Sequence, residues 1–135
     1  MKIQDTERLK NFWIPMVLAI IIYCIGDVLL KMGNIELNSS FSSILQGEFW
    51  LSFIQNLPII LAFVSAITSK LLMGVILAKN ALGLSEGIFL ALTTILTFFL
   101  GIIIFEENFT PLNLVAIVLI AGGIVLVNYE ENSSI

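Results

Sequence analysis

Tyr23, Asp27 and Lys31 recur at intervals of four within a run that is otherwise almost wholly apolar. At 3.6 residues per turn that spacing puts all three on one face of a helix. A charge at the centre of a bilayer costs roughly 2.5–3.5 kcal/mol on insertion scales, so an intramembrane carboxylate usually faces a partner or a water-filled path. Two chemistries fit. Asp27 and Lys31 can neutralise each other, with the lysine stem reaching toward the outer interface. Alternatively, Asp27 faces a cavity and binds a cation or a proton, which better explains why the pair is not simply apolar.

Lys70 is the second intramembrane charge, near the middle of another apolar run. With 1.5 Å of rise per residue, Asp27 lies roughly 9 Å and Lys70 roughly 18 Å below the outer ends of their helices. Helical side chains lean toward the N-terminus, which narrows that gap. An Asp27–Lys70 pair is one expectation, and a lysine stretched to a watery crevice is the other. Glu86 opens the third run, where a carboxylate complements the helix dipole and Ser85 lies near the cap. Thr93 and Thr97 share its face, and each can satisfy its hydroxyl on its own helix.

These side chains need elements to hold them. Charged residues make up 12% of the 135-residue chain, against about 25% in soluble domains. With 59% hydrophobic residues and a mean hydropathy of +1.06, the chain reads as an all-α integral membrane protein. A hydrocarbon core of about 30 Å takes about 20 helical residues. Four runs fit, at about 12–33, 57–79, 84–105 and 112–128, the second and fourth begun by Pro58 and Thr110-Pro111. None alternates apolar with polar residues as barrel strands do. The first run is too long for a signal peptide and no small-residue cleavage site follows it, so it reads as a span. Links of a few residues force antiparallel neighbours, giving an up-down four-helix bundle. Residues 34–56 form a longer link: 38–43 read as a loop, and 44–56 as an interfacial helix with Trp50 at headgroup depth or an early extension of the second span.

Lys2, Arg8, Lys10 and Lys79 fall on one side of the membrane and Lys31 alone on the other, which places both termini in the cytoplasm. That asymmetry favours a fixed orientation, hence a parallel homodimer or an oppositely oriented partner chain. Sequons begin at Asn38, Asn108 and Asn132 and carry little weight. On the last run, Ala116, Gly122 and Gly123 are small residues of the kind that let membrane helices approach, within the bundle or across a dimer seam.

Composition also excludes. A net charge of −4 without a basic patch argues against nucleic acid. There is no His, and the single Cys24 lies in an apolar run, so neither a nucleophile–base pair, a metal cluster nor an intrachain disulfide is expected. No cofactor motif is present.

Gly26-Asp-Val-Leu-Leu-Lys-Met-Gly33 resembles the first-helix motif of half-length proteins of the drug/metabolite transporter superfamily, which includes the small multidrug resistance family and short EamA-type proteins. Leu84-Ser-Glu-Gly-Ile-Phe89, the stretch from Gly101 to Ile117 and Ala121-Gly-Gly-Ile-Val-Leu-Val-Asn128 resemble its C-terminal half. The resemblance spans residues 12–128 and implies four helices per chain, a dimer as the working unit and alternating access around a midmembrane site. It implies that Lys31 is the lysine ending the first helix, and that Gly123, with Ala116, is the fourth-helix dimer motif. By register, Tyr23 stands where proton-coupled multidrug members carry a glutamate, and Thr93 where they carry a tryptophan. Asp27, one turn on from Tyr23, is the carboxylate available to substitute.

Three functions follow as expectations. The first is a small exporter of a cationic or amphipathic substrate across the cytoplasmic membrane, proton-coupled through Asp27. The second is a flippase subunit in which Lys31 and Lys70 attract a lipid-linked phosphate. The third is a non-transporting scaffold subunit.

Overall fold

Pro58 and Pro111 do what their fixed φ suits them for, each standing in the first turn of a long helix. The computed structural model describes the backbone of residues 2–37 and 47–133, and the side chains of 12–37, 49–124 and 126. Its elements are α1 (Lys2–Glu36), α2 (Gly47–Gln55), α3 (Leu57–Leu77), α4 (Leu82–Phe105) and α5 (Pro111–Ser133). Among the described residues there is no strand. Among the described residues three stretches are long and apolar enough to cross a membrane: Phe12–Glu36, Leu57–Leu77 and Leu82–Phe105. In α5 the described residues carry an apolar stretch over Pro111–Ile124. The loop expected at 38–43, residues 44–46 and the sequon at Asn38 lie outside the described residues.

Boundaries shift for local reasons. Gly33 does not end α1, because its φ is not positive and the N–H of Leu37 still reaches its carbonyl at 3.0 Å. It serves close approach instead: a Cβ there would lie 2.5 Å from Ile59 Cγ1 and 2.7 Å from Asn56 Oδ1. Asn56 is extended and caps α3 by accepting from the Ile59 N–H at 3.1 Å. That break makes α2 a separate helix, so the early-extension reading of 44–56 is corrected. Phe53 of α2 packs on Phe63 of α3, with ring centroids 6.0 Å apart.

The helices assemble around α1. Along it Met16, Ala19, Tyr23, Gly26, Leu30 and Gly33 alternate steps of three and four, and along α3 Ile59, Ala62, Ala66, Ser69, Met73 and Ile76 do the same. Two such stripes pack as a coiled-coil-like seam. Small residues bring it close: a Cβ on Gly26 would lie 3.0 Å from Ser65 Cβ and 3.2 Å from the Ala62 carbonyl. Within the seam the buried Ser69 hydroxyl donates to the Ala19 carbonyl at 2.8 Å, joining the backbones without an unmet polar group.

A second stripe on α1, Ile20, Cys24, Asp27 and Lys31, faces α4. Its apolar half packs with Ile88 and Phe89 in the core. Although only residues 78–81 separate α3 from α4, these two touch each other less than either touches α1. Chain proximity is overridden because the small residues that permit close approach lie between α1 and α3. Among the described residues helix α5 neighbours only α4.

Candidate functional site

Near the shared C-terminal ends of α1 and α4, the polar stripe opens on a cavity of about 130 Å³. Asp27, Val28 and Lys31 line it from α1, Thr97, Gly101 and Phe105 from α4, and Glu107 from the turn beyond. Helix periodicity aims the first three residues; the fold supplies the rest.

Glu107 arrives through an unusual turn. Glu106, which caps α4, has φ 52° and ψ 36°, the left-handed conformation usually given to glycine at a helix end. The chain doubles back there, and the Glu107 N–H reaches the Gly101 carbonyl at 3.3 Å. Its carboxylate then lies over Gly101, where a Cβ would approach Oε2 to 2.6 Å. A side chain at 101 would therefore push the flexible end of Glu107 aside from this position. The carboxylate pairs with the Lys31 ammonium, which also sits 4.1 Å from the centroid of the Phe105 ring.

Both lysine expectations are thereby corrected. Lys31 pairs with Glu107 rather than Asp27, and Lys70 pairs with Glu86 at 2.8 Å rather than with Asp27 or an open crevice. Depth explains the second outcome. Lys70 lies in the half of α3 near its C-terminus, and Glu86, about one turn into α4, is at hand there; Asp27 is toward the opposite end. The Lys70 ammonium is also 5.2 Å from the Phe89 ring, and Phe89 meets Tyr23 edge-on at 5.6 Å. Tyr23, Lys70 and Glu86 thus form one cluster, while Asp27 and Lys31 belong to another. Among the described residues, half-buried Asp27 has no ion pair.

The role expected of the α4 start is corrected too. Ala81 occupies the cap position without a side-chain bond, and Glu86 lies beyond the first turn. Ser85 is fully buried, and its hydroxyl has no hydrogen-bond partner among the described residues. Thr93 behaves as the bland reading expects, donating to the Phe89 and Leu90 carbonyls of its own helix at 2.8 and 3.0 Å. Thr97 does likewise to Thr93, yet also lines the cavity. Ala116, Gly122 and Gly123 are exposed, and a Cβ at either glycine meets nothing within 4 Å, so packing inside this chain does not require them.

Val28, Gly101, Phe105 and Glu107 are the cavity residues that sequence reasoning left unassigned. A signal existed: the acidic loop Glu106-Glu107 ends a run whose exit lies on the same side as Lys31.

The Lys70–Glu86 pair gives a direct expectation. Its side chains are 53% and 31% exposed, so the protein does not enclose the pair, and where water or headgroups reach it the coupling is small. A double-mutant cycle of Lys70→Met and Glu86→Gln, read by denaturing-detergent unfolding, should return about 1 kcal/mol or less. A coupling of several kcal/mol would mean that the pair is dry in the membrane.

The chain matches no family model, no curated protein and no solved structure.

Proposed function

We propose that this chain is a half-length secondary transporter that moves a small cationic or amphipathic substrate across the cytoplasmic membrane, with Asp27 as the cation site. One observation carries the reading. Asp27 lines a cavity whose one lysine, Lys31, is held by Glu107, so the cavity has one acid more than it has bases. A carboxylate in apolar surroundings needs a counter-charge, and a substrate cation or a proton supplies it. The flippase alternative has less to draw on, because Lys31 and Lys70 are each already engaged by a carboxylate.

The remaining parts of the proposal concern assembly. In it α5 is the fourth span, α2 lies at the interface with Trp50 at headgroup depth, and both termini are cytoplasmic. Two copies pair through the exposed face bearing Ala116, Gly122 and Gly123, as the resemblance to small multidrug resistance and EamA-type proteins implies. A cavity of this size in one chain leaves room for a head group rather than a translocation path, which favours a second copy.

The test is proton release when quaternary amines and guanidinium compounds are added to weakly buffered purified protein. If Asp27 exchanges its proton for substrate, the wild type releases protons on binding and Asp27→Asn does not. Ligand binding that persists in Asp27→Asn would overturn the assignment and bring the flippase and scaffold readings forward.

A further inference from the structure

The side chains around the Asp27 cavity are ordered by depth. Asp27 on α1 and Thr97 on α4 lie deepest. Lys31 and Gly101 lie one turn, about 6 Å, nearer the helix ends, and Phe105 one turn beyond Gly101. Glu107 closes this end, its carboxylate over Gly101 and paired with Lys31. A solute coming from the side where α1 and α4 end therefore meets the Lys31–Glu107 pair before it meets Asp27. The pair is carried on one side by a turn. Residues 106–110 lie against α1 and α4 through that pair, through the Glu107 N–H to the Gly101 carbonyl at 3.3 Å, and through Phe109 edge-on to Phe98 with centroids 5.9 Å apart. Glu106, where the turn leaves α4, has φ 52°, a conformation that most side chains disfavour. A screened ion pair and one long backbone hydrogen bond are thus set against local strain, and the closed position is held only weakly.

We infer that residues 106–110 are a lid over the cavity, latched by Lys31 and Glu107, and that Glu107 must swing off Gly101 to admit a solute to Asp27 from that side. As a control on substrate entry the lid rests on the reading of Asp27 as a cation site; as a moving turn it does not. Gly101 is the seat, because the space a Cβ would take is filled by the Glu107 carboxylate. Phe105 is the second rest of the latch, its ring centroid 4.1 Å from the Lys31 ammonium. A static connection from α4 to α5 would be firmest with glycine at the left-handed position; glutamate there keeps the closed position weak.

The test times the reaction of a thiol placed below the latch. Thr97→Cys puts it in the cavity at a position whose hydroxyl bonds to its own helix. The probe is an anionic, membrane-impermeant methanethiosulfonate added to nanodisc-embedded protein, with peptide mass spectrometry separating residue 97 from the buried Cys24. Glu106→Val and Glu106→Asn, each added to Thr97→Cys, remove the same charge but differ in tolerance of a left-handed φ, so their comparison reads the turn and not the field. Gly101→Ala changes no charge and puts a Cβ 2.6 Å from Glu107 Oε2, which displaces the carboxylate from its seat. Glu106→Val should react at least about fivefold faster than Glu106→Asn, and Gly101→Ala faster than Thr97→Cys alone. Equal rates in Glu106→Val and Glu106→Asn, or no gain from Gly101→Ala, would overturn the lid. Neither outcome depends on cation binding. The reading of Asp27 fails separately, if Asp27→Asn binds a quaternary amine as the wild type does.

Discussion

Glu107→Gln should weaken binding of a quaternary amine by about ten- to hundredfold, although Glu107 need not touch the ligand. In the wild type the Glu107 carboxylate holds the Lys31 ammonium away from Asp27. Lys31 stands four residues after Asp27 on one helix, the spacing at which acid and base meet most readily. Once Glu107 is neutral, Asp27 is the remaining carboxylate within reach, and an internal cation occupies the site meant for an external one. A charge-assisted contact of about 1.5–3 kcal/mol sets the size of that competition. Stability should change by less than about 1 kcal/mol, because both partners of the pair are partly exposed, at 39% and 49%. Gln keeps the shape that fits over Gly101 and leaves the backbone bond of residue 107 intact.

The deciding measurement is rescue. Lys31→Met combined with Glu107→Gln removes the competitor, so amine affinity should return to within a few-fold of the wild type. A double variant as weak as Glu107→Gln alone would show that Glu107 acts on the ligand directly.

Gly26→Leu should destabilise the folded chain by about 3 kcal/mol or more. Gly26 lies where α1 and α3 come closest, and even a Cβ would sit 3.2 Å from the Ala62 carbonyl, a backbone atom that cannot swing aside. Overpacking by a larger side chain costs about 1–3 kcal/mol, and the helices must part to relieve it. Parting them stretches the 2.8 Å bond from the buried Ser69 hydroxyl to the Ala19 carbonyl, adding about 1–3 kcal/mol for a polar group left unmet. Unfolding in a denaturing-detergent titration, followed by far-ultraviolet circular dichroism, measures the loss. Gly123→Leu is the matched control, since its Cβ meets nothing within the chain. Its unfolding midpoint should match that of the wild type in the monomer. If the proposed dimer forms through that face, its dissociation constant should rise. Equal destabilisation by both substitutions would mean that helix propensity, not the α1–α3 seam, controls the result.

The long apolar stretches and the shared face of Asp27 and Lys31 were legible in the sequence because both are local, whereas Tyr23, expected on that face, joins Phe89 instead of the cavity. Span length follows from the rise per residue, and a common face follows from 3.6-residue periodicity. Pro58 and Pro111 marked helix starts for equally local reasons, since a fixed φ acts within one turn. Partner choice was not local. Lys70 took Glu86 rather than Asp27, and Lys31 took Glu107, because pairing depends on which helix ends meet and at what depth. Small residues that let α1 and α3 close on each other set the depths, and α4 packs on the remaining face of α1. The left-handed turn at Glu106 was hidden for a different reason. Glycine normally announces that conformation, and here a glutamate adopts it to carry Glu107 back over Gly101. Periodicity thus placed a carboxylate on a membrane helix. Only the tertiary structure decided that both lysines would be engaged elsewhere, since charges choose partners by distance in space.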